Sequence, residues 1–240
     1  MLLSLLEKGA LIARRKRFFA DVELPSGLLT AHCPNTGSMR SLLLPGTQAF
    51  VSKSDNPKRK LSHTLEILQL PDGTMACVNT QRANHQVAEA IRAGSIQGFP
   101  PGCEVQMEVP CGAQTRFDMR VTLPDSSKVW VEVKNVTLVE AHQPRVASFP
   151  DAVTERGAKH LRELADQVRA GHPACMFFLV NRDDADSFEP AQHIDLAYAE
   201  ELKRATLAGV GVLVYRTSFS EKANEVEMVV KHQLPWSLQS

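Results

Sequence analysis

Asp118, Glu132 and Lys134 are residue types that could do chemistry together. They fall in two segments with strand-like patterning, TRFDMRVTL (115–123) and KVWVEVKNV (128–136). In the second, Val129, Val131 and Val133 alternate with Trp130, Glu132 and Lys134, so a period of two sends the carboxylate and the ammonium to one face. A neighbouring strand can place Asp118 beside them. Two carboxylates at hydrogen-bonding range repel, which raises one pKa unless a cation sits between them. Two hard oxygen ligands with a lysine nearby suit Mg2+ or Mn2+, a water to be activated and a phosphate to be attacked. Asp118 and Glu132 are therefore the expected metal ligands. With Lys134 they form the expected catalytic set of a metal-dependent nuclease. The same spacing also occurs on ordinary half-wet strand faces, so the elements that would position these residues carry weight.

Residues 10–82 divide into strand-like runs: ALIARRKRFFADVEL, LLTAHC, TQAFVSKS, LSHTLEILQL and TMACVNT. Turn residues separate them at PSG, PNTG, PG, DNP and PDG. Five short strands without a helix have the size of a small closed barrel of OB type. From Asn84 the pattern changes. Asn84 can cap a helix, HQVAEAIRA, that stops at Gly94. Three strands follow, CEVQMEV, TRFDMRVTL and KVWVEVKNV, then a second helix opening near Asp151 or Thr154 and ending at Gly171. The apolar run ACMFFLV (174–180) reads as a buried parallel strand. A third helix is expected from about Asp195 to Gly209, and VGVLVYR (210–216) is a further buried strand. The expected class is α+β or α/β: an OB-like barrel over 1–82 and, over 83–240, a mixed central sheet flanked by helices.

Composition is that of an ordinary globular chain, 43% hydrophobic and 22% charged over 240 residues, which argues against wholesale disorder. Net charge is zero but unevenly spread. Residues 1–82 hold 11 Lys+Arg against 6 Asp+Glu, and residues 83–240 hold 16 against 21. A basic module joined to an acidic one suits phosphate binding beside a carboxylate-lined site. Five scattered cysteines without a C-x-x-C argue against a zinc site or a disulfide framework and favour a reducing cytoplasm. No apolar run approaches a membrane span, and MLLSLLEKGALIARRKRF has the wrong order of apolar and basic residues for a secretory signal. Oligomeric state is open, and a homo-oligomer is compatible with the sequence.

Further basic and polar residues are candidates for a nucleic-acid surface. Lys58, Arg59 and Lys60 in NPKRK would track a phosphate backbone on an OB-like face, or form a solvated edge. In TERGAKH, Arg156, Lys159 and His160 lie three to four apart, a phosphate-holding face near a helix N-terminus or simply a wet one. Gly157 within that helix suggests a close backbone approach. Asn35 and Thr36 in AHCPNTGSM either touch nucleic acid or serve as turn chemistry. An aromatic content of 6% gives little support for base-specific readout, so shape- or charge-driven DNA binding is the expectation.

The order of elements, with an acidic residue on one strand and E-x-K on the next, resembles the PD-(D/E)xK nuclease fold, including the 14-residue step from Asp118 to Glu132. That resemblance implies a further catalytic carboxylate from the first helix, which maps to Glu89. The segments RRKRFFADVEL, AHCPNTGSM, LPG, NPKRKL, VNTQRAN, RFDMRV, VEVKNVTL and FPDAVTERGAKHLREL are similar to the sugar fermentation stimulation protein (SfsA) family over nearly the whole chain. The resemblance implies an OB-like domain before a nuclease-like one. It also implies DNA binding and a role in regulating maltose and related sugar metabolism. Three functions follow: a DNA-binding, metal-dependent phosphodiesterase; a non-catalytic DNA-binding regulator on a nuclease scaffold; and a binder of a sugar-related metabolite. The intact Asp118, Glu132 and Lys134 favour the first.

Overall fold

The computed structural model describes residues 1–111 and 115–238. In chain order the first elements are β1 (Leu2–Leu3), β2 (Leu6–Arg15), β3 (Phe19–Leu24), β4 (Gly27–His32), β5 (Gln48–Lys53), β6 (His63–Gln69), β7 (Met75–Cys77) and α1 (Thr80–Arg92). Next are β8 (Glu104–Cys111), β9 (Thr115–Thr122), β10 (Lys128–Val136), β11 (Leu138–Val139), β12 (Val146–Phe149) and α2 (Glu155–Arg169). The chain finishes with β13 (Ala174–Val180), β14 (Ser187–Pro190), α3 (Leu196–Leu207), β15 (Gly211–Lys222) and β16 (Glu225–Gln233).

Strands β2 to β6 form the five-stranded closed barrel. β2 pairs with β3 and β5, β3 with β4 and β5 with β6, all antiparallel, and β4 closes onto β6 through the parallel bridge His32↔Thr64. Alternation drives this: Ala20, Val22 and Leu24 of β3 are buried and meet Ala31, Val51, Leu65 and Leu68 inside. ALIARRKRFFADVEL is two strands rather than one. A fifteen-residue strand would be well beyond the usual five to six or so. The chain reverses at Lys16 (φ 49°) and Arg17 (φ 64°), two successive left-handed residues whose twist matches a tight hairpin. TMACVNT is also divided. Its first part is β7, and its last residues open α1.

The second sheet has seven strands in the order β1-β16-β15-β13-β10-β9-β8. Its centre, β10-β13-β15, is parallel, and its flanks are antiparallel. Every residue of β13 is buried, because helices cover both faces. On one face Ala83, Val87 and Ile91 of α1 meet Met119, Val131, Val133 and Phe177. On the other, Leu161 and Leu164 of α2 and Tyr198 and Leu202 of α3 meet Phe178 and Val180. β1, β16 and the small sheet β11-β12-β14 are additions to the elements expected from the sequence.

Helix α1 starts four residues before Asn84. Asn79 is its N-cap, accepting from Gln81 N–H at 3.1 Å, so Asn84 lies inside the helix. Thr154, one of the two expected starts, caps α2, and Asp195, near which the third helix is expected to begin, caps α3. A Cβ on Gly157 would come within 3.0 Å of the Tyr198 ring and of the capping Thr154 hydroxyl, so this glycine lets α2 and α3 approach. Barrel and sheet share a fourth body of core: Leu3, Leu6, Phe50, Ile67, Met75, Cys77, Val226 and Met228. Cys77 N–H also donates across to Asn181 O at 2.9 Å. All five cysteines are free, and burial pushes the Cys77 and Cys175 thiols up to about 12. Among the described residues no helix is long and apolar enough to cross a membrane.

Candidate functional site

A cleft of about 450 Å3 opens where the barrel meets the edge of α1 and the ends of β9, β10 and α2. Asp118, Glu132 and Lys134 line it together with Asn35, Thr36, Arg156 and His160.

Glu132 is the deepest of these, with only 2% of its surface exposed. β10 supplies Glu132 and Lys134 from one face, and Lys134 Nζ donates to Glu132 Oε1 at 2.6 Å. The same Oε1 is bonded to His160 Nδ1 from α2. Arg156 Nε donates to His160 Nε2 at 3.4 Å, which leaves the Nδ1–H to face Glu132. Burial pushes the Glu132 carboxyl up, but the His160 hydrogen bond and the Lys134 charge outweigh it and hold the group below the usual carboxylate range. Glu132 is therefore ionised. Its Oε2 is buried and has no hydrogen-bond partner among the described residues.

Asp118 is set by a gap in pairing. The β9–β10 register runs only to Val131↔Met119, and Asp118 Oδ2 accepts from the Val133 N–H at 2.8 Å. Asn84 of α1 donates from Nδ2 to Asp118 Oδ1 at 2.8 Å. Burial, and then the Glu132 charge, raise the Asp118 carboxyl to about 6. The helices on opposite faces of the sheet thus each fix one carboxylate, α1 through Asn84 and α2 through His160.

The barrel contributes the cleft's other wall. Arg14 donates to the carbonyls of Asn35, Gly37 and Ser38 at 2.7, 2.9 and 3.0 Å, and Thr80 Oγ1 donates to Pro34 O at 2.7 Å. Across the seam, Asp151 accepts from Ser38 Oγ and Met39 N–H, each at 3.3 Å. Gly37 suits this approach, since a Cβ there would press on the Asp151 carboxylate and force it to shift. Asn35 spends its Oδ1 on the Gly37 N–H at 2.8 Å, which is turn chemistry.

Several expected residues lie elsewhere. Glu89 does not reach the cleft; its side chain is 58% exposed and pairs with the Met1 ammonium at 3.0 Å. It lies five residues beyond Asn84, which is about 140° around the helix. Arg156 and His160 share a face of α2, but Lys159 does not. Lys159 is exposed and pairs with Glu163 at 3.5 Å. Lys58 and Lys60 are exposed on the β5–β6 loop and do not line the cleft. Arg59 lies in a second, neighbouring pocket, donating to Thr64 Oγ1 at 2.9 Å. The cleft also contains Arg17, Asn84, Asn135 and Asp151, none of them expected as site residues from the sequence. The basic run RRKR within an overlong strand was the available signal for Arg17. Nothing local marks Asn84, whose role depends on helix phase.

Among the described residues no three His, Cys, Asp or Glu side chains are grouped to hold a metal. The donors for a cation are therefore two carboxylates. A hard divalent ion fits them. The buried, ionised, unpaired Glu132 Oε2 suits a cation ligand, and Mg2+ usually takes one or two carboxylates with waters and substrate oxygens completing its shell.

Two family models match the chain: the SfsA N-terminal OB domain over residues 12–78 and the Sugar fermentation stimulation protein RE domain over residues 81–223. A sugar fermentation stimulation protein homolog of Pseudomonas fluorescens Pf-5 is 51% identical over 212 residues, covering 88% of this chain and 89% of the relative. One from Pseudomonas putida GB-1 is 47% identical over 232 residues, covering 96% and 95%. The solved structure of Pyrococcus furiosus SfsA in complex with Ca2+ superposes with a TM-score of 0.86 at 23% identity, covering 99% of this chain and 98% of that one. With two domain models in sequence and relatives near half identity over most of its length, the chain belongs to the sugar fermentation stimulation protein family.

Proposed function

We propose that this protein binds DNA along the seam between barrel and sheet, without strong sequence preference, and hydrolyses its phosphodiester bonds with Mg2+ or Mn2+. The observation that carries the reading is Glu132 Oε2, buried and unpaired, in one cleft with Asp118 and Lys134. Asp118 and Glu132 would hold the ion. Bound there, it would polarise a phosphoryl oxygen and lower the pKa of a water. The Ca2+ of the Pyrococcus furiosus protein, also an oxygen-seeking cation, supports that choice.

The chain's own residues supply the remaining work. His160 and Lys134 fix Glu132, and Asn84 fixes Asp118. Lys134, held beside Glu132 in the same cleft, would steady negative charge on the attacked phosphate. Arg17 and Arg156 at the cleft add cations for flanking phosphates. An OB barrel commonly binds oligonucleotides through its β1–β2 and β4–β5 loops. In this barrel those are the β2–β3 turn carrying Arg17 and the β5–β6 loop carrying Lys58, Arg59 and Lys60.

The test is incubation of purified protein with single-stranded, duplex and branched DNA, and with RNA, with and without Mg2+ or Mn2+. Metal-dependent cleavage supports the reading. Binding without cleavage under every metal favours a non-catalytic DNA-binding regulator of sugar metabolism.

A further inference from the structure

A second pocket, of about 500 Å3, lies beside the cleft on the other side of the first turns of α1. Thr80, Ala83 and Asn84 line the Asp118 cleft, while Gln81, Arg82 and His85 line the second pocket. The β4–β5 connection spans both in the same way, with His32 in the second pocket and Asn35 to Gly37 in the cleft. The two cavities are consecutive stations along one seam.

The second pocket's charges are mostly settled internally. Glu66, 1% exposed, accepts from Arg82 Nε and Nη2 at 3.0 and 2.9 Å, from Ser52 Oγ at 2.7 Å and from Asn79 Nδ2 at 2.8 Å. Burial pushes this carboxyl up, but those donors outweigh it and keep it ionised, so Glu66 and Arg82 cancel. Both Glu66 oxygens are satisfied, and among the described residues no other carboxylate lines the pocket. Arg59 is different: the one side-chain hydrogen bond of its guanidinium among the described residues is to the neutral Thr64 hydroxyl, at 2.9 Å. The pocket therefore holds one uncompensated guanidinium. His32, His85, Gln81 and Ser54 offer further donors around it. One uncompensated guanidinium ringed by further hydrogen-bond donors matches a singly charged phosphodiester better than a doubly charged phosphomonoester.

We propose that this pocket, centred on Arg59 and His85, is a subsite for a backbone phosphodiester of the same nucleic-acid strand whose scissile phosphate enters the Asp118 cleft. The inference rests on the nucleic-acid reading above but not on catalysis. It assigns Arg59 a role distinct from its neighbours Lys58 and Lys60, which project into solvent and give only diffuse attraction.

The experiment is fluorescence anisotropy of end-labelled oligothymidylates from about 4 to 24 nucleotides, with the full chain in EDTA so that nothing is cleaved. Wild type is compared with Arg59→Gln, His85→Gln and, as a control on the same loop, Lys58→Gln. Arg59→Gln is expected to weaken binding of the longer strands about tenfold. It should also lower the salt slope by about 0.7, the single-strand value for one phosphate contact. The shortest strands, able to fill only one station, should lose far less. His85→Gln should show a smaller loss of the same length dependence, and Lys58→Gln little beyond a small uniform weakening. Thermal melting of each variant checks that it folds. If Arg59→Gln binds all lengths as Lys58→Gln does, the subsite is refuted while the nucleic-acid reading stands. If wild type binds no oligonucleotide of any kind, both fall together.

Discussion

His160 Nδ1 is hydrogen-bonded to Glu132 Oε1, joining helix α2 to the central strand β10. This bond leaves Oε2 as the one unpaired oxygen of a buried, ionised carboxylate. Removing a group that orients a metal ligand typically costs 10- to 100-fold in metal affinity. His160→Ala should weaken Mn2+ binding by about that factor. His160→Asn, whose amide can replace the Nδ1–H, should recover part of it. Calorimetric titration with Mn2+ decides this, with Asp118→Asn and Glu132→Gln as the variants expected to show no binding. Equal Mn2+ affinity in wild type and His160→Ala would refute the orienting role.

Asp118 gives a pH dependence with a defined sign. Burial and the Glu132 charge raise its folded-state pKa to about 6, above the ordinary value. The folded, metal-free protein thus holds a proton there that the unfolded chain has released. This contribution favours folding at low pH and is lost as pH rises through about 6. A shift of that size corresponds to on the order of 2–3 kcal/mol. Asp118→Asn should therefore melt above wild type at pH 8 in EDTA, and the two should converge near pH 4. Identical melting curves across this range would contradict the assignment. With metal present the order reverses in wild type's favour, because the cation competes with the proton.

Lys134→Ala separates chemistry from binding. Losing one preorganised electrostatic stabiliser commonly costs about 3–4 kcal/mol of barrier, a factor of hundreds or more in rate. Cleavage should fall by that factor. DNA affinity measured in Ca2+ should change little, since one phosphate contact is a small share of the total. A parallel loss of affinity and rate would make Lys134 a binding residue instead.

The loop cations govern non-specific attraction. On duplex DNA each phosphate contact contributes about 0.9 to the slope of log affinity against log salt. Replacing Lys58, Arg59 and Lys60 together with alanine should flatten that slope by about 0.9 for the Arg59 contact, with a smaller increment from the two solvent-facing lysines, and weaken all sequences alike. An unchanged slope would shift the binding surface towards Arg17 and Arg156 at the cleft.

Gly37 tests how the barrel holds its wall of the cleft. Gly37→Ala puts a methyl 2.3 Å from Asp151 Oδ2, so the carboxylate that holds Ser38 and Met39 must move. Overpacking of this kind costs about 1–3 kcal/mol. A lowered melting temperature is expected, together with loss of DNA affinity. A variant as stable as wild type would show that the seam yields freely.

The sequence by itself determined the elements whose period is strong and local. The alternation around Val131 and Val133 marked β10 and put Glu132 and Lys134 on one face, and the apolar ACMFFLV marked the buried β13. Thr154 and Asp195 marked the starts of α2 and α3, because a capping side chain acts within three residues. Tertiary structure decided what depends on phase and on distant partners. Whether Asn84 or Glu89 served the site turned on which face of α1 met β9, and a helix start misplaced by five residues hides that. Lys16 and Arg17 turn left-handed without a glycine to announce it, because the closing barrel holds them there. Arg17 and Asp151 join the cleft only because the shared core around Phe50, Ile67 and Met228 locks barrel and sheet together, and contacts across more than a hundred residues leave no local period to read.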